Sequence, residues 1–128
     1  MPILILLFVY VFFIVRWSKQ DVADFYAVSR KTLDKWVRYF SRFNYKVWRR
    51  IRKLSPSQLH LLLSDFGFPY EAKVMTKAML IDECYASYKS LVGMVEKRAN
   101  QLGFGLIAYH AVDKFPPRVG SQLVKIME

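Results

Sequence analysis

Between Ser29 and Leu54 the chain carries two opposed faces at helical spacing, and no other feature restricts the fold as much. With residues set about 100° apart around one helix axis, Leu33, Trp36, Val37, Phe40, Val47, Ile51 and Leu54 fall within roughly 60° of one direction. Lys31, Lys35, Arg38, Arg42, Lys46, Arg49 and Lys53 fall within roughly 40° of the opposite one. Ordinary solvated faces mix both signs of charge, because like charges at i, i+4 repel. This line holds no acid, and the only acid in the segment, Asp34, lies off it. Such a stripe fits contact with a polyanion. Ser41 to Asn44 can hold a bend, which would redirect the second half of the stripe without discharging it. Phe43, Tyr45 and Trp48 lie nearer the apolar side and read as core residues, not base-stacking platforms.

The overall charge agrees. The chain has 20 Lys+Arg against 10 Asp+Glu, a net of +10 over 128 residues. From Arg16 to Lys53 there are 12 basic and 3 acidic residues, and from Leu54 onward 8 basic and 7 acidic. A basic part beside a near-neutral one implies one surface turned to a polyanion. The single cysteine, Cys84, cannot form an intramolecular disulfide and fits a reducing compartment. With His60 and His110 it supplies no zinc-site spacing, and no phosphate loop, GxSxG or HExxH occurs. The expectation is therefore a protein without catalysis, metal or cofactor.

Residues 1–15, MPILILLFVYVFFIV, carry no charge. The run is shorter than the roughly 17–25 residues a membrane helix needs, and it lacks the basic start and cleavage site of a secretory signal. It reads as a buried strand or helix, as a short membrane anchor, or as translated upstream sequence ahead of a native start near Val15. The last is the expectation preferred here.

Ser18-Lys-Gln-Asp21 has the form of a capping box, and Val22, Ala23, Phe25 and Tyr26 follow at helical spacing. Ala27-Val28 makes a short break. Ser29 then caps a second helix whose Leu33, Trp36, Val37 and Phe40 share a face. Two helices crossing closely need a small residue at the contact, and Ala23 provides it. The stretch SKQDVADFYAVSRKTLDKWVRYF resembles the helix-turn-helix of bacterial and phage DNA-binding proteins. One departure is Ala27, at a turn position that commonly holds Gly and tends to want φ > 0. The resemblance implies that the helix starting at Ser29 enters the major groove. Ser29, Arg30, Lys31, Asp34 and Lys35 are then candidates for contact with bases, with Arg30 suited to a bidentate guanine contact. Arg38, Arg42, Lys46, Arg49 and Lys53 are the candidates for phosphates. Arg30 and Lys31 also sit in a first helical turn, where the macrodipole disfavours cations by about 0.3–1 kcal/mol each, as expected of a surface built for a ligand.

Shifted by 58 residues, Thr76–Val95 (TKAMLIDECYASYKSLVGMV) falls on Ser18–Val37, with Lys77, Asp82, Ser87, Lys89, Leu91 and Val95 identical. Lys53–Leu63 has a looser counterpart in Lys114–Val124. The pattern suggests duplication of one unit. The second copy has Tyr88 for Arg30, Gly93 for Lys35 and Ile81 for Ala23, so the first is the expected binder, and the second either touches DNA weakly through Lys89 or serves packing and dimerisation. Cys84 falls on the core position of Tyr26 and reads as a buried structural thiol. His60 and His110 read as partly buried helix residues, and Gly67-Phe-Pro69 ends the helix begun at Pro56.

The expected fold is all-α, with six to eight short helices in two similar units, 16–66 basic and 70–128 near-neutral, after the apolar segment 1–15. The expected partner is double-stranded DNA, in transcriptional control or as an accessory to phage or mobile-element recombination. The two units would bind as one chain or as a homodimer, in the cytoplasm on the nucleoid. Two alternatives stand beside it. One is a membrane-anchored adaptor whose stripe lies on anionic lipid, if residues 1–15 are a genuine anchor. The other is a structural subunit that binds an acidic protein.

Overall fold

The helices begin where side-chain oxygens take up backbone N–H groups that a first turn leaves unpaired. In the computed structural model, which describes residues 16–70, 72–84 and 86–127, Ser18 and Asp21 form the expected capping box. The Asp21 N–H donates to Ser18 Oγ at 3.1 Å and the Ser18 N–H to the Asp21 carboxylate at 2.8 Å, opening α1 (Lys19–Phe25). Ser29 accepts from the Thr32 N–H at 3.1 Å and opens α2 (Arg30–Phe40). Asn44 accepts from the Lys46 and Val47 N–H groups and opens α3 (Tyr45–Arg50). A second capping box, Ser55 with Gln58, opens α4 (Pro56–Phe66), with Pro56 at its first position and Gly67 at φ 83° closing it. There follow β1 (Met75–Thr76), α5 (Lys77–Cys84), α6 (Tyr88–Lys97), α7 (Ala99–Leu102), α8 (Leu106–Ala111), β2 (Lys114–Phe115) and α9 (Pro117–Met127).

Helices take up 67% of the described residues, and the sheet is one antiparallel pair of two-residue strands, with Met75 opposite Phe115 and Thr76 opposite Lys114. The fold is all-α. Its helices among the described residues number nine, more than the six to eight expected, because three of them have six residues or fewer. The apolar run 1–15 and the readings placed on it lie outside the described residues.

The segment 29–54 is not one helix. Ser41 leaves helical geometry at φ −130°, ψ 158°, its hydroxyl donating to the Val37 carbonyl at 2.8 Å and accepting the Phe43 N–H at 3.2 Å. These local bonds replace the helical ladder, as short polar side chains do. The restart at Asn44 resets the helical phase. Val47, expected on the apolar seam, is consequently exposed, while Trp48 is buried.

Most of the seam does form the core. Leu33, Trp36, Val37 and Leu54 are fully buried, and Phe40 and Ile51 are half-buried. Tyr26, Trp36 and Phe66 meet edge to face, with ring centroids 5.4–5.8 Å apart. A single apolar cluster runs from Val22 to Leu123. Within it α2 packs on α4 and α8, α4 on α9, and the Trp36 indole N–H donates to the Lys114 carbonyl at 2.8 Å. Two minor expectations need correction. His60 and His110 are exposed, since the buried face of α4 runs through Leu59, Leu62, Leu63 and Phe66 and that of α8 through Ala108 and Tyr109. Cys84, at the last residue of α5, is half-buried instead of buried.

Candidate nucleic-acid interface

The corner between α1 and α2 turns on Ala27, whose φ is +55°. The left-handed conformation read from the sequence is therefore adopted by a residue with a Cβ, at a cost of about 1–2 kcal/mol. The Val28 N–H closes the corner on the Ala23 carbonyl at 3.0 Å. Ala23 is fully buried and Val28 nearly so, which lets the helices approach. Their packing fixes how α2 begins. Ser29, Arg30 and Lys31 stand exposed in its first turn, with no acid among them, and Lys35 is half-buried one turn on.

Asp34 is used differently. Its carboxylate accepts the N–H of the buried Trp48 indole at 2.9 Å and so ties α2 to α3. The phosphate candidates divide too. Arg38 is exposed and lies over the rings of Tyr39 and Tyr45, 5.3 and 5.7 Å from their centroids. Arg42 gives its Nε–H to Asp65 at 2.9 Å and its backbone N–H to the same carboxylate at 2.8 Å. The Arg42 side chain remains 70% exposed while that of Asp65 is only 11% exposed, so water screens the pair from the arginine side. Lys46, Arg49 and Lys53 are exposed. Lys46 shares a face of α3 with Arg49 and Arg50. A bridge between Ser18 and Lys53, with the Leu54 N–H on the Trp17 carbonyl at 2.8 Å, brings Lys53 beside the start of α1.

Lys19, which the sequence candidates leave out, stands beside Arg30. It opens α1, and its Nζ lies 5.0 Å from the centroid of the Trp48 ring. Burial and the nearby Arg30 guanidinium lower its pKa, against an upward pull from Asp34. Two cations thus meet where α1 and α2 both begin. No local pattern marks Lys19, because the contact with Trp48 spans the whole first unit. The one available signal was its identity with Lys77 in the repeat. Lys89 is exposed in the first turn of α6, which Ser87 caps.

Among the described residues, no group of three or more His, Cys, Asp or Glu comes together that could hold a metal ion, and no helix is long and apolar enough to cross a membrane. No protein-family model, curated protein or solved structure matches the chain.

Proposed function

We propose that the chain binds double-stranded DNA through residues 16–53, with the start of α2 in the major groove. One observation carries the reading: apart from Arg42, no cation of this segment forms an ion pair among the described residues. Lys31 and Lys35, and Lys46 and Arg50, are like charges at i, i+4, each pair costing a few tenths of a kcal/mol. Arg30 and Lys31 also oppose the dipole of α2. A fold that keeps this unneutralised charge on the outside of well-capped helices is arranged for an external polyanion. Ser29, Arg30, Lys31 and Lys35 are the base-reading side chains. Asp34 holds the frame, and Lys19, Arg38, Lys46, Arg49 and Lys53 meet phosphates. The biological role that suits this chemistry is transcriptional control or assistance to mobile-element recombination.

Selection from a randomised duplex library tests it. Wild type should enrich a defined sequence. Arg30→Ala should relax the preference by about 1–3 kcal/mol at one position, whereas Arg49→Ala should weaken all duplexes alike. Enrichment of nothing, together with sedimentation on anionic vesicles, would favour the lipid-surface alternative instead.

A further inference from the structure

The two parts of the chain repeat each other in geometry as well as in sequence. Ser18 pairs with Lys53 in an antiparallel bridge, and their counterparts Thr76 and Lys114 pair in the small sheet. Lys53 and Lys114 stand 61 residues apart where Ser18 and Thr76 stand 58 apart, so the second part is three residues longer. The corner bond from Val28 N–H to the Ala23 carbonyl recurs from Ala86 N–H to the Ile81 carbonyl, at 3.0 and 3.2 Å. The Ser29 cap on Thr32, through both N–H and hydroxyl, recurs as Ser87 on Ser90 with the same lengths, 3.1 and 3.0 Å. The six-residue α3 has its counterpart in the six-residue α8, and the eleven-residue α4 in the eleven-residue α9, each of the latter begun by a proline. Within the parts, α2 packs on α3 and α4 as α6 packs on α8 and α9.

One shared detail lies outside the framework. Lys19 Nζ sits over Trp48, and its counterpart Lys77 sits over Tyr109, the counterpart of Trp48, at 4.7 Å from the centroid. Where Asp34 satisfies Trp48, the second part has Val92, and the Tyr109 hydroxyl is buried with no hydrogen-bond partner among the described residues. Burial, with Tyr88 adding to it, pushes this phenol's pKa up. A buried donor left without an acceptor is costly and rare.

We propose that residues 76–127 repeat the unit of residues 18–66, and that the start of α6 is a second phosphate-binding position formed by Lys77, Lys89 and the Tyr109 hydroxyl. Lys77 lies over the Tyr109 ring, and an anion held there, with a shift of the ring that uncovers the buried hydroxyl, gives the phenol the acceptor it lacks. Lys89 stands exposed in the first turn of the helix, and neither lysine forms an ion pair among the described residues. The second contact is the smaller one, since Ile107, His110 and Asp113 stand where the first unit has Lys46, Arg49 and Arg52. The inference rests on the DNA reading for the source of the phosphate, though not for its chemistry.

The full chain is titrated with a duplex over a range of salt, and separately with inorganic phosphate while amide NMR shifts are followed. Replacing Lys77 by Met and Lys89 by Ala together should reduce the steepness of log K against log[salt] by about 1–2, as for one or two phosphates lost. Lys77→Arg should restore part of it. Tyr109→Phe should keep or raise the melting temperature of the free protein yet weaken duplex binding by about tenfold, which a purely structural hydroxyl would not do. An unchanged salt slope in the double variant, with Arg30→Ala still weakening binding, overturns this second position and leaves the proposed function standing. If wild type binds no duplex, the proposed function fails and the phosphate titration decides alone. Shifts at residues 87–90 that vanish in the double variant support the position, and their absence in wild type overturns it.

Discussion

Replacing Asp34 with Ala removes the acceptor of the buried Trp48 indole N–H. The expected outcome is a loss of about 1–3 kcal/mol in chemical denaturation, with the selected DNA sequence unchanged in the fraction that stays folded. From the sequence alone Asp34 shares the exposed start of a helix with Arg30 and Lys35. Its partner stands on another helix, and no local rule reaches it. Ala27 shows a different case: the helix-turn-helix resemblance marks its position as one that tends toward φ > 0, leaving either strain or a different turn, and the chain takes the strained φ of +55°. Tyr26 gives a dependence on pH. Its hydroxyl donates to the Gly67 carbonyl at 2.5 Å, and burial raises its pKa well above the ordinary 10.0. The folded state then keeps a proton that the unfolded state releases. Its contribution is complete below about pH 10 and declines above it by about 1.4 kcal/mol per pH unit. Urea midpoints between pH 8 and 11 should show the decline, and Tyr26→Phe should flatten it.

α1, α2 and α4 were legible as elements, since each begins with a Ser cap and carries its apolar residues at helical spacing over consecutive turns. The break after Phe40 was legible only as an opportunity. Seven cations align on one ideal helix through Ser41–Asn44, and that alignment loses its meaning once Asn44 restarts the phase. Besides the Ser41 bonds, the break is held by Asp65 on α4, which takes both the backbone and the side chain of Arg42. The stripe therefore survives as two shorter stretches, on α2 and α3, and not as one line. Asp65→Asn should change stability by about 1 kcal/mol, because Arg42 is itself largely exposed and the amide can still accept the Arg42 N–H. It should also tighten duplex binding several-fold at low salt, by freeing Arg42 and removing a carboxylate from the basic side. Filter binding of the two proteins side by side measures this.

At the scale of the whole molecule, the division of charge between a basic and a near-neutral part is plain in the sequence, and so is the all-α class. How the parts join is not. The Trp36 indole on the Lys114 carbonyl and the packing of α4 on α9 belong to one shared core, and long-range pairings of this kind leave no periodic trace. That core holds the cations of α2 and α3 outward, with no ion-pair partner among the described residues. The most direct measurement of what this charge does is the affinity of the full chain for a duplex of mixed sequence between about 50 and 300 mM salt. With the basic segment on DNA, log K should fall with log[salt] at a slope of roughly −4 to −6, the release expected from five to seven neutralised phosphates. A slope near zero, or no binding at the lowest salt, would contradict it.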